Sequence, residues 1–169
     1  MNRKLFLWLQ KTYPSVPVVI ITLNEEINDI IAGIKLGVHG YLQATIFPEE
    51  LKEAITALTT GNVYYFDLAG ERVIYSEEND IRDPRRLSAA KNLPEPQQNV
   101  FKLLCSSLSY EEIAAELQIS PRTLSGYRKD IYSAIRFKSR VGLVLFAIRN
   151  NLFDQDDKLR SNQMILKNV

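Results

Sequence analysis

The sequence predicts an α/β unit followed by an all-α unit, and three observations predict it. VPVVIIT, residues 16–22, is a β-branched apolar run without alternation, flanked by helical patterns. A strand covered on both faces of a parallel sheet reads this way. From Leu93 onward every segment places apolar residues at helical spacing. Between the two lies SEENDIRDPRRLSAAKN, residues 76–92, which is polar, charged and broken by a proline.

Composition narrows the class. Of 169 residues, 46% are hydrophobic and 24% charged, which suits a globular chain and excludes a disordered one. No apolar run reaches the ~18 residues of a membrane helix, so no membrane partner is expected. The start, MNRKLFLWLQKTYP, mixes Gln, Lys and Tyr into its apolar part and lacks a small-residue cleavage site, unlike a signal peptide. The one cysteine, Cys105, has no internal partner and reads as a buried hydrophobe in a reducing compartment. The expected location is the cytoplasm.

The elements follow in order. Residues 3–13 carry apolar side chains at 5, 6, 8 and 9 and suit a helix, which Pro14 and Pro17 end. The strand 16–22 comes next. Asn24 is placed to cap a helix with Glu25 and Glu26 in its first turn, Ile27, Ile30, Ile31 and Ile34 on its inner face, and Gly37 as its stop. HGYLQA, residues 39–44, is a short strand. Pro48 opens a helix with Leu51, Ala54, Ile55 and Leu58 inward, closed by Gly61. Residues 62–75 admit a little extended or helical structure, and 67–92 read as a linker.

The all-α unit, 93–153, carries four helical patterns. The first has Val100, Phe101, Leu103 and Leu104 inward. Ser109 and Glu112 form a capping-box pattern for the second. Ser120 as N-cap and Pro121 at the first helical position open the third, with Leu124, Tyr127, Ile131 and Ile135 inward. Val141, Val144, Leu145 and Ile148 line the fourth. The tail, 154–169, reads as polar and frayed.

Charge is distributed unevenly. The formal net charge is +1, yet residues 120–140 hold Arg122, Arg128, Lys129, Arg136, Lys138 and Arg140 against the single acid Asp130. Such a local surplus attracts a polyanion. With the apolar stripe of the third helix turned inward, Arg122, Ser125, Gly126 and Lys129 point outward and Arg128 sits at the edge. Lys138 and Arg140 open the fourth helix, placed to clamp a phosphate. This is the pattern of a helix-turn-helix, whose second helix enters the major groove of double-stranded DNA. Gly126, a poor helix former, fits a face approached closely by DNA, or is an incidental surface glycine.

Residues 93–153 also resemble a LuxR-type helix-turn-helix over their whole length. EEIAAELQISPRTLSGYR matches the scaffold helix, the turn and the start of the recognition helix. The resemblance implies that Ser125, Gly126 and Lys129 face bases and that Ser109, Thr123, Lys138 and Ser139 meet the DNA backbone. It also implies that the fourth helix, 139–151, contributes a homodimer contact. Gln97, Ser107, Tyr127 and Ala134 stand where the family usually has Glu, Gly, His and Lys, and the change at 134 weakens the backbone grip without removing the motif.

Residues 1–66 resemble the second half of a response-regulator receiver of the NarL/FixJ type, a flavodoxin-like α/β fold. VPVVIITLNEE matches its fourth strand, ending in the switch residue Thr22. GVHGYL matches the fifth, with Tyr41 at the switch-aromatic position. Simpler structural readings are a strand end for Thr22, core packing for Tyr41 and a loop position for the lone His39. The phosphoacceptor region has no counterpart in the sequence, and Ala44 stands at the position of the switch lysine. A phosphorylation switch needs both to hold its metal and phosphoryl charge. A sensor histidine kinase is therefore an expected partner only of a longer parent. A half-receiver leaves a sheet edge and apolar surface open. A longer chain, a second copy pairing through the 25–60 face, or the linker would cover it.

The sequence-level expectation is a sequence-specific DNA-binding transcriptional regulator of the response-regulator class. The alternative is a degenerate regulator acting only as a protein-interaction or dimerisation module. No nucleophile–base set, paired-carboxylate cleft, metal-ligand spacing or glycine-rich phosphate loop is present in the sequence, so neither an enzyme, a cofactor nor a bound metal is expected.

Overall fold

A computed structural model of the protein describes residues 3–23, 26–66, 72–106 and 108–153. The cap at Asn24, the acid Glu25, Ser107 and the tail 154–169 lie outside the described residues. Helix α1 (Arg3–Thr12) precedes strand β1 (Val19–Thr22), α2 (Ile27–Leu36), β2 (Gly40–Gln43) and α3 (Pro48–Thr59). The expected order therefore holds, with shorter strands. Glu26 stands as the N-cap of α2, one residue outside its first turn, and Gly37 ends α2 in the left-handed conformation at φ 92°.

The sheet is larger than expected. Strands β3 (Asn62–Phe66) and β4 (Arg72–Ser76) extend it to the order β1-β2-β3-β4. The first three strands are parallel and β4 returns antiparallel to β3, with Tyr64 opposite Ile74. Residues 67–92, expected as a linker, thus contribute β4, a π-helical turn at Glu77–Ile81 and helix α4 (Pro84–Lys91). The reason is local. RVIYS is a β-branched and aromatic run that pairs the outer edge of β3. Asp83 and Pro84 then cap and open a helix, the Asp83 carboxylate accepting from the Arg85 amide at 2.9 Å.

Strand pleating divides the core in two. Leu42, Tyr64 and Phe66 face α3 and pack with Ala54, Ala57 and Leu58. Ile55 of α3, expected inward, is 54% exposed, and Ala57 takes the buried position. The opposite sheet face supplies Tyr41, Val63, Tyr65 and Val73 to a larger core. That core runs without interruption through Ile30, Ile31 and Ile34 of α2 into the helical unit.

The helical unit comprises α5 (Glu95–Leu104), α6 (Tyr110–Glu116), α7 (Pro121–Ile135) and α8 (Arg140–Arg149). In α8, residues Arg140–Ala147 are all buried. A helix buried on every side is covered all round; here α2, β4, the π-helical turn and α5 supply the cover. The two elements expected to pair copies of the chain, α8 and the α2 part of the 25–60 face, are packed on each other. Pairing through α8 would require them to part. Among the described residues no strand pairs the outer edge of β1: β3 and β4 lie at the far side of the sheet, and Ile21 and Leu23 are exposed. Among the described residues no helix is long and apolar enough to cross a membrane.

Candidate nucleic-acid interface

The helix-turn-helix is built by its caps. Ser109 accepts from the Glu112 amide at 3.2 Å while the Glu112 carboxylate accepts from the Ser109 amide at 2.6 Å, so the capping box forms. After α6 the chain turns through Gln118 at φ 53°. Ser120 then accepts from the Thr123 amide at 3.0 Å and starts α7, with Pro121 in its first turn.

Packing fixes the rotation of α7. Leu124, Ile131 and Ile135 are buried, at 0–2% exposure, and Tyr127 is half-buried. Arg122, Thr123, Ser125, Gly126 and Lys129 are consequently exposed on the opposite face. The Thr123 hydroxyl lies 2.8 Å from that of Ser120. A Cβ added at Gly126 would meet nothing within 4 Å among the described residues, so none of their packing requires glycine there. Lys138 is exposed in the loop between α7 and α8.

Three residues of the expected contact set are placed otherwise. Arg140 is 4% exposed. Its guanidinium donates to the carbonyls of Leu104, Ser106 and Leu108 at 2.7, 3.0 and 2.7 Å. It ties the α5–α6 loop to α8, and burial depresses its pKa. A buried guanidinium saturated by carbonyls is a structural cross-link, not a phosphate clamp. Ser139 is 6% exposed, and its hydroxyl caps α8 by accepting from the Gly142 amide at 3.1 Å. Arg128 is half-buried, with its guanidinium carbon 3.6 Å from the centroid of the Tyr110 ring.

Sequence reasoning missed two contributors from the 67–92 segment. Arg86 of α4 donates to the main-chain carbonyls of Ile135 and Arg136 at the end of α7. Its guanidinium also lies 4.4 Å from the Phe137 ring centroid. The ring of Tyr75 meets Phe137 edge-on at 4.9 Å. The available signal was Asp-Pro followed by helix-forming residues at 83–91.

In the α/β half, Thr22 ends β1 opposite Gln43, and Tyr41 is buried on β2, which raises its pKa. Ala44 follows β2, its amide donating to the Thr22 carbonyl at 2.7 Å. His39 is half-buried and accepts from the Val18 amide at 3.2 Å through Nδ1. The Cys105 thiol is buried, which pushes its pKa up to about 12.

Comparison with known proteins matches residues 91–147 to the model of the bacterial regulatory proteins, luxR family. The uncharacterized transcriptional regulatory protein YxjL of Bacillus subtilis is 26% identical over 148 residues, covering 85% of this chain and 66% of YxjL. The response regulator UvrY of Escherichia coli is 24% identical over 145 residues, covering 85% of this chain and 65% of UvrY. The chain thus spans 65–66% of the length of these relatives. Full-length FixJ from B. japonicum superposes with a TM-score of 0.39 at 22% identity, covering 89% of this chain and 69% of FixJ.

Proposed function

We propose that this chain, which carries a LuxR-type helix-turn-helix domain at residues 91–147, is a sequence-specific DNA-binding transcriptional regulator of the response-regulator class. One observation carries the reading. The N-terminal half of α7 holds Arg122, Thr123, Ser125, Gly126 and Lys129 exposed on one face, while Leu124, Ile131 and Ile135 lock the other into the core. A helix fixed this way offers donors and a flat approach to a major groove. In this reading Ser125, Gly126 and Lys129 meet base edges. Arg122, Thr123, Lys138 and the α6 N-terminus at Ser109 meet the phosphate backbone.

The α/β half, 1–66, supports the reader and does not switch it by phosphoryl transfer, because Ala44 supplies no charge where a switch lysine would stand. Segment 67–92 joins it to the reader at 93–153. The test is selection of bound sequences from a random duplex pool by the whole chain. A defined motif supports the reading, and two half-sites would reveal a pair of readers. A pool that never enriches favours a protein-interaction module.

A further inference from the structure

We infer that Arg128 positions the recognition helix and does not contact DNA: its seat is the ring of Tyr110 on the scaffold helix. The inference rests on the DNA-reading function proposed above and assigns a role within that site.

Arg128 lies on α7, one residue before Lys129, in the most basic stretch of the chain. Its guanidinium is turned away from the exposed face. It stacks on Tyr110 at 3.6 Å from the ring centroid and lies 5.9 Å from that of Tyr132. The Arg128 Nε is buried and has no hydrogen-bond partner among the described residues. It therefore faces ring and hydrocarbon, where a guanidinium is held by the ring quadrupole. Arg140 approaches the same ring at 5.3 Å and holds the carbonyls of Leu104, Ser106 and Leu108.

The two arginines thus grip the start of α6 from α7 and from α8. Tyr110 is the first residue of α6, directly after the capping residue Ser109. The stack therefore fixes the start of α6, where Ser109 stands, against α7 and its exposed face. A rigid angle matters because both elements must meet one duplex in register. Lysine cannot substitute in this role, since a compact ammonium lacks the planar face that stacks.

The test is equilibrium binding of the whole chain to its selected duplex across a salt series, read by fluorescence anisotropy, with circular dichroism as the folding check. Arg128→Lys keeps the charge and loses the planar stack; the expected result is binding weaker by about fivefold to tenfold at every salt concentration, with the salt slope unchanged. Tyr110→Ala should weaken binding in the same way, and the double variant should be no worse than either single one. Tyr110→Phe retains the ring and should bind within about twofold of the wild type. Arg128→Lys binding like the wild type would overturn the inference. So would Arg128→Met if it lowers the magnitude of the salt slope by about 0.9, the signature of a lost phosphate contact. If Tyr110→Ala unfolds the chain, the Arg128→Lys and Arg128→Met pair decides alone. A wild-type chain that ignores DNA overturns the functional reading itself, and this inference with it.

Discussion

Arg86 of α4 donates from its guanidinium to the main-chain carbonyl of Arg136, the residue that ends α7, at 2.6 Å. A cation therefore sits on the negative end of the recognition-helix dipole and satisfies carbonyls that the helix leaves unpaired. Asp80, 2.9 Å from the same guanidinium, and Asp83 hold it in place. Arg86→Ala should destabilise the chain by about 2 kcal/mol, because it leaves α7 carbonyls without their donor and removes the cation beside Asp80 and Asp83. Thermal unfolding checks this. An unchanged midpoint would show that α4 merely lies beside the helical unit.

At Gly126 stability and binding should move in opposite directions. A Cβ at this site meets nothing within 4 Å among the described residues, so Gly126→Ala should stabilise α7 by up to about 1 kcal/mol. If DNA lies against this face, the added methyl should weaken specific binding. Parallel unfolding and binding curves separate the effects. A more stable variant with unchanged affinity would make the glycine incidental.

These two residues show what was legible in the sequence. The turn at 118–121, the caps at Ser109 and Ser120 and the inward stripe of α7 follow from local chemistry, and the structure has them all. The exposed set on α7 followed directly, since a buried stripe fixes the face opposite to it. Arg140 and Ser139 were misplaced because a basic residue at a helix start looks the same whether it meets phosphate or buried carbonyls. Only tertiary structure brings Leu104, Ser106 and Leu108 to Arg140. Burial of α8 was partly legible, because RVGLVLFAI is apolar all round and a stripe reading undercounts it. The role of 67–92 was hidden because β4 has meaning only beside β3, and Arg86 only beneath α7.

The seat of α8 is tight at one point. A Cβ at Gly142 would lie 2.7 Å from both the Phe137 ring and the Tyr75 hydroxyl. Those two rings are packed on each other, so neither yields freely. Gly142→Ala should cost about 1–3 kcal/mol by overpacking. Gly33→Ala, with its nearest atom at 3.5 Å, should be accommodated without such a loss. Denaturant midpoints of the two variants provide the comparison. Equal midpoints would mean that α8 shifts easily on its neighbours.

His39 gives the fold an acid limb. Burial, reinforced by the nearby charge of Arg149, lowers its pKa below the ordinary histidine range. The unfolded chain therefore takes up the proton first as pH falls. The contribution is present above the unfolded-state pKa of ~6.5 and is lost as pH drops from there through the folded value. His39→Asn, which keeps an acceptor for the Val18 amide, should flatten the stability profile as pH falls below about 6.5. Parallel profiles for variant and wild type would remove His39 from that limb.

The central claim is that the exposed face of α7 enters a duplex groove, and it is tested most directly by binding of the whole chain to its selected duplex as salt is raised. The account predicts that log K falls linearly with log salt, by about 0.9 for each phosphate neutralised, with several contributing. It predicts further that Lys129→Ala loses about 1–3 kcal/mol on the selected sequence and little on unrelated duplex. Absence of binding, or binding indifferent to salt, would contradict it.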